Sequence, residues 1–92
     1  MKYVLFEKAR HRVFFLTLLA ERVKRMGGTF EIKDNYRGIY RYEGLTLGLF
    51  VNPKYKEWVV YFQGHPGHFP DYDTASDCII EAFEKRKKNN PI

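Results

Sequence analysis

Two histidines stand close together in a stretch rich in glycine and proline. His65 and His68 flank a Pro-Gly pair, and histidines can hold a transition metal together with nearby carboxylates. The spacing lacks the helical i, i+4 geometry of a zinc-protease motif, and no third ligand is specified. An exposed turn is the simpler interpretation, so we expect no metal site and no cofactor.

The single cysteine, Cys78, is the next candidate for chemistry. It falls on an apolar helical stripe, which predicts a buried structural thiol. One cysteine cannot form an internal disulfide, which fits a reducing compartment. The 92 residues contain no G-x-S-x-G, no P-loop and no G-x-G-x-x-G. We therefore expect a protein that is not an enzyme.

A third group of residues combines basic and aromatic side chains. Alternation along short strands predicts one sheet face, the arginine face, that carries Lys33, Arg37, Arg41, Phe50 and Tyr61. Arginines contact phosphates or base edges, and aromatic rings stack on exposed bases. The alternative is that a helix covers this face, with its aromatic residues in a second core and its arginines at the rim.

The strands that position this group lie between Thr29 and Gln63. Four runs rich in aromatic and β-branched residues are separated by turn residues, which is typical of an antiparallel meander. Loops of three, two and four residues, which start at Asp34, Glu43 and Pro53, gather the large apolar residues on the opposite side. This leucine face carries Phe30, Ile32, Tyr40, Tyr42, Leu45, Leu47, Leu49, Val51, Trp58, Val60 and Phe62.

A helical pattern precedes the strands and another follows them. The first runs from Glu7 to Met26 and stops at Gly27-Gly28. The second starts near Asp73 or Thr74, and its apolar stripe comprises Ala75, Cys78, Ile79, Ala82 and Phe83. We predict one α+β domain over residues 1–92, with residues 89–92 frayed. A four-stranded antiparallel sheet is flanked by an N-terminal and a C-terminal helix, both on the leucine face.

Phe14 and Leu18 lie four residues apart on the side of the first helix that faces away from the sheet. The same side carries Arg22 and Arg25. Two large apolar residues on a charged side indicate a surface for a partner or a second copy. Alternatively, Tyr3–Phe6 folds back and covers them.

The charge balance bears on partners and location. Sixteen basic and 11 acidic residues give a formal charge of +5, which permits nucleic-acid binding without requiring it. The apolar run Val13–Ala20 is far shorter than the ~20 residues that cross a bilayer, and no signal peptide is evident. We expect a cytoplasmic protein (in the host cytoplasm if it is viral) with no membrane partner.

From Tyr36 onward, the order of elements resembles the AP2-type DNA-binding domain. The resemblance covers residues 36–90 and rests on the Tyr-Arg-Gly-Ile that starts at Tyr36, on two further strands, and on Phe69 with Thr74-Ala75 five residues later. In that family a three-stranded sheet lies in the major groove and its arginines read bases. The resemblance therefore implies that Arg37 contacts DNA.

The chain also departs from the AP2-type pattern. Tyr40 and Tyr42 stand where the family continues with arginines, and Arg41 has the right chemistry at an uncertain position. The first helix and the strand Thr29–Lys33 have no counterpart in the family.

Two hypotheses about function follow. The first is a non-enzymatic module that binds nucleic acid, with DNA favoured, through the arginine face. The second is a protein-binding inhibitor or adaptor of a nucleic-acid-handling complex, which docks through Phe14, Leu18, Arg22 and Arg25. Its α-ββββ-α plan is similar to that of small phage proteins, including anti-CRISPR inhibitors, although no motif is shared.

Overall fold

The fold is that of a computed structural model, which describes residues 9–55 and 57–88. The elements are α1 (Ala9–Met26), β1 (Thr29–Ile32), β2 (Arg37–Tyr42), β3 (Leu45–Asn52), β4 (Glu57–Phe62), β5 (His65–Phe69) and α2 (Tyr72–Lys88). Three expectations lie outside these residues: the start of the first helix at Glu7, the folding back of Tyr3–Phe6, and the fraying of residues 89–92.

The strands form one antiparallel sheet in the order β1-β2-β3-β4-β5. The predicted α+β class, with an antiparallel sheet that one helix precedes and another follows in the chain, is confirmed. The predicted number of four strands is wrong, because residues 65–69 form a fifth strand where we expected an exposed turn.

The fifth strand follows from a second tight turn. Gln63 and Gly64 both have positive φ, at 51° and 83°, the backbone that lets a two-residue loop join twisted strands. In such a hairpin the pair that flanks the turn is hydrogen-bonded and the next pair is not. Pro66 belongs to that next pair, opposite Tyr61, so its missing N–H falls on the outer edge of the sheet, where proline is tolerated.

The three registers predicted for the other hairpins are confirmed. Phe30 pairs with Tyr40 in the first hairpin, and Tyr42 pairs with Leu45 across the Glu43-Gly44 turn. In the third hairpin, Asn52 pairs with Glu57. The leucine face and the arginine face are therefore separated as the sequence predicts.

Both helices pack on the leucine face. α1 contacts β1 and β2, α2 contacts β3, β4 and β5, and the two helices touch each other. Their buried side chains form one core with the sheet: Leu16, Leu19, Ala20, Val23, Tyr40, Tyr42, Leu47, Leu49, Val51, Trp58, Val60, Tyr72, Ala75, Ile79, Ile80 and Phe83. Phe30 and Phe62, at opposite margins of the leucine face, stay exposed.

Backbone hydrogen bonds fix where the helices end and begin. α1 stops as predicted, since the N–H of Gly28 donates to the carbonyl of Val23 and that of Gly27 to the carbonyl of Lys24, a Schellman motif. α2 starts earlier than predicted. The Asp71 Oδ1 accepts the N–H of Thr74 at 2.8 Å, so Asp71 caps the helix.

Tyr40 ties α1 to the middle of the sheet. Its side chain is fully buried, and its hydroxyl donates a hydrogen bond to the Leu16 carbonyl at 2.7 Å. Its ring lies over Gly38, where an added methyl group would come within 2.8 Å of the ring carbon Cζ. Gly38 therefore leaves the space that the phenol needs to reach the helix.

The variant Tyr40→Phe tests this tie. We expect it to lower the free energy of unfolding at pH 7 by about 1 kcal/mol, the usual net value of one buried hydrogen bond. Burial raises the pKa of Tyr40 above its ordinary 10.0, so its neutral form stabilises the folded wild type below pH ~10 and that stability is lost as the pH rises further. Urea unfolding at pH 7, 9 and 10.5 should show the two proteins converging at the highest pH. A gap that widens there would contradict the assignment.

Candidate nucleic-acid interface

Neither helix packs on the arginine face in the described residues, because both belong to the core on the other side. Cross-strand pairing places the predicted residues together. Arg37 lies opposite Phe50, Phe50 lies opposite Val59 and Gly48 lies opposite Tyr61, and the first hairpin brings Lys33 beside Arg37. The alternative in which a helix covers this face does not hold for residues 9–55 and 57–88.

The aromatic and apolar side chains of the arginine face are only partly covered. Tyr61 is 42% exposed, while Ile39 and Phe50 are half-buried. Val59 is buried, with Phe50 and His68 as its two neighbours across the strands. The ring of Tyr61 is therefore accessible on this face, beside apolar side chains that are buried or half-buried.

Two of the three predicted basic residues are engaged in ion pairs. Arg37 donates to the Asp34 carboxylate from Nη2 at 2.8 Å and from Nε at 3.1 Å. The Lys33 Nζ lies 3.2 Å from the Glu31 Oε2. Arg41 is exposed and makes no ion pair within the described part of the chain. The face therefore carries less positive charge than its lysine and arginines alone indicate.

Asp34 belongs to the turn that precedes Arg37. Its Oδ1 accepts the N–H of Tyr36 at 2.8 Å, and this bond, followed by the Arg37 guanidinium, lowers the pKa of the carboxyl group below its usual value. Asp34 is therefore ionised at neutral pH. The turn is an Asx turn, in which an aspartate or an asparagine serves equally well.

A depression of about 360 Å³ lies on the arginine face. Its floor and walls include Arg37, Ile39, Gly48, Phe50 and Tyr61. The volume falls near the lower end of the ~300–1,000 Å³ typical of ligand sites. Arg37 is the charged residue that lines it.

His65 and His68 lie on β5 rather than in the predicted turn. Their odd spacing places them on opposite faces of the strand, since alternate residues share a face. His65 pairs with Phe62, whereas His68 pairs with Val59 and its Nδ1 lies 2.9 Å from the Glu57 Oε1. The two imidazoles therefore cannot converge on one ion. Within the described residues, no three His, Cys, Asp or Glu side chains are grouped to bind a metal.

Cys78 is exposed, so the prediction of a buried thiol is wrong. Partial burial, followed by the nearby Glu81, raises the pKa of the thiol, which disfavours a thiolate nucleophile. The buried face of α2 is turned toward α1, and Ser76 and Ile80 are buried in place of Cys78.

Of the four residues predicted to form a partner surface on α1, three are exposed and Arg22 is engaged between the helices. Phe14 is 58% and Leu18 40% exposed, so both remain accessible. Arg22 instead joins the two helices, with Nη1 at 3.3 Å from the Ser76 Oγ and from the Asp77 Oδ1. Arg25 is exposed.

Sequence reasoning missed three residues that contribute to this region. His68 and Pro66 join the arginine face through β5, and the Gln63-Gly64 pair was the signal, since it has the same form as the Glu43-Gly44 turn. Arg12, near the start of α1, is buried with its guanidinium 4.6 Å from the Tyr36 ring centre. This contact anchors the turn between β1 and β2 against α1.

Comparisons with protein-family models, with curated proteins and with solved structures found no match to this chain. The resemblance to the AP2-type domain therefore stays a prediction. Among the residues described, no helix is both long and apolar enough to span a membrane.

Proposed function

We propose that the protein binds nucleic acid through the arginine face and has no catalytic role. The observation that carries this proposal is the placement of both helices on the leucine face, with the arginine face left uncovered in the described residues. An uncovered sheet with an exposed aromatic ring and arginines is a surface on which proteins stack bases and hold phosphates.

The ion pairs on this face do not prevent phosphate binding. The Arg37 side chain is 59% exposed and that of Asp34 41%, and water and salt screen exposed pairs of this kind so that they contribute little to stability. A phosphate can therefore replace the carboxylate at little cost. Arg41 makes no ion pair in the described part of the chain, so a phosphate can bind it without replacing a carboxylate.

The same charges limit how much of the affinity can be electrostatic. Lys33, Arg37 and Arg41 supply three positive charges, while Glu31, Asp34 and Glu57 lie on or beside the face with three negative ones. With about three phosphate contacts, the logarithm of the binding constant should fall with the logarithm of salt concentration with a slope near −2 for a single strand. Contact with the aromatic side chains must supply the remaining affinity.

The double variant Arg37→Ala with Arg41→Ala tests the assignment of the face. We expect binding of a fluorescein-labelled 20-nucleotide strand to weaken about tenfold at 50 mM salt, because two phosphate contacts are lost, and the salt slope to fall by about 1.5. Fluorescence anisotropy measures both quantities.

The matched control is Lys24→Ala with Lys54→Ala, which removes the same charge from exposed sites outside the arginine face. It should weaken binding by much less than the arginine pair does. Equal losses in the two double variants would show that net charge, rather than this face, holds the nucleic acid.

The variant Asp34→Asn tests the role of the ion pair by removing the carboxylate instead of the arginine, so nucleic-acid binding should strengthen. The amide oxygen of asparagine still accepts the Tyr36 N–H and keeps the turn, whereas the negative charge that competes for Arg37 is gone. We expect binding to tighten about two- to fivefold at low salt. Asp34→Asn on an Arg37→Ala background should have a smaller effect, and a full effect there would contradict the pairing.

A second candidate function, binding of a partner protein, rests on the exposure of Phe14 and Leu18 on α1. Large apolar side chains that are adjacent and accessible mark interaction surfaces. A protein-binding inhibitor or adaptor would use this patch and would not need the arginine face.

The variant Leu18→Glu separates the two candidates. If the α1 patch binds a partner or a second copy, the variant should lose that complex in sedimentation or pull-down while its thermal midpoint changes by less than about 4 °C, the shift expected for 1 kcal/mol. Under the nucleic-acid proposal, its oligonucleotide affinity stays within twofold of wild type. A large fall in the thermal midpoint would assign Leu18 to the core instead.

A further inference from the structure

Gly48 stands in the middle of β3 on the arginine face, although the backbone there does not require glycine. Its φ is not among the positive values in the described chain. An added methyl group would lie 3.6 Å from the Ile39 Cδ1 and 3.7 Å from the Tyr61 Cβ, which is ordinary contact. Gly38, in contrast, is required by the ring that lies over it.

Glycine inside a strand weakens the strand, and it often marks a bulge, a tight bend at a barrel corner, a close backbone approach or the approach of a ligand. The described strands form an open sheet and not a barrel. A bulge is absent at Gly48, since the pairing runs unbroken from Ile39 on one side to Tyr61 on the other. No other backbone approaches closely, as the nearest backbone atom to the added methyl group is the Gly38 carbonyl oxygen of the adjacent strand, at 3.8 Å. The approach of a ligand is the explanation that remains.

The missing side chain opens the depression of about 360 Å³. Ile39 and Tyr61 stand opposite Gly48 on its two neighbouring strands, and Arg37 supplies positive charge at the same depression. An accessible phenol ring favours a flat aromatic ligand, and the guanidinium favours an anionic one. A base joined to its phosphate has both properties.

Building on the proposed function, we propose that Gly48 forms the floor of a slot for one unpaired nucleobase, which stacks against Tyr61 with its phosphate toward Arg37. Bases in a duplex are stacked on each other and present only their edges in the grooves. The slot therefore selects single strands over duplexes. In this respect the inference differs from the AP2-type resemblance, which implies a duplex in contact with the sheet.

The test fills the slot without removing charge. Gly48→Val adds a β-branched side chain, which suits a strand, and should keep the thermal midpoint at or above that of wild type. Binding of a labelled ten-nucleotide thymidine strand should weaken at least about fivefold, the loss expected for one stacked base. Gly48→Ala should have a smaller effect, and Tyr61→Leu should match the valine variant.

Thr46→Ile is the control for added bulk, since it stands on the same face of the same strand outside the slot, opposite Arg41. It should weaken binding much less than Gly48→Val does. The ten-base-pair duplex of the same sequence should bind wild type at least tenfold more weakly than the single strand. If Gly48→Val does not fold, the alanine and Tyr61→Leu variants decide the question.

The outcomes separate this inference from the proposed function. If wild type binds neither single strand nor duplex, the proposed function fails and the slot fails with it. If wild type binds and the arginine variants weaken binding, but Gly48→Val and Tyr61→Leu bind normally, the slot is wrong and the function stands. Tighter binding of the duplex would overturn the slot as well.

Discussion

The hydrogen bond from Tyr40 to the Leu16 carbonyl joins α1 to the middle of the sheet, and the absence of a side chain at Gly38 leaves room for the Tyr40 ring. A buried phenol whose hydroxyl is left unpaired costs about 1–3 kcal/mol, and the Tyr40 hydroxyl avoids that cost. The helix carbonyl is the acceptor in reach. Once α1 covers β1 and β2, α2 has the remaining half of the leucine face on which to bury its own apolar side.

This one-sided packing has a consequence for the other face of the sheet. With both helices engaged, the described chain has no element that covers the arginine face. Phe50 and Ile39 are half-buried by their neighbours within the sheet, while Tyr61 stays accessible. Ion pairs hold Arg37 and Lys33 close to carboxylates, so the face is nearly balanced in charge. A nucleic acid bound as proposed would therefore gain much of its affinity from contact with rings and apolar surface.

The errors in the sequence-based fold have identifiable physical causes. β5 contains Pro66 and Gly67, which disfavour strands, and it forms because the tight Gln63-Gly64 turn brings residues 65–69 back against the edge of β4. Cys78 fits the helical period of the apolar stripe. The face that α2 buries is nevertheless rotated toward Ser76 and Ile80, because α2 packs against α1 as well as the sheet, and Arg22 bridges the two helices. The spacing of apolar residues along one helix does not indicate where a neighbouring helix packs.

Turn residues and alternation along the strands, both local properties, were enough to determine three hairpin registers and the division of the sheet into a leucine face and an arginine face. The end of α1 at Gly27 was equally local, since glycine adopts the left-handed conformation at a helix end without strain. Which arginines are paired and which glycine leaves a space were decided only by the tertiary structure. These features depend on groups far apart in the chain, such as Tyr40 with Leu16 and Gly48 with Tyr61, and the arrangement of such pairs is set when the whole core packs.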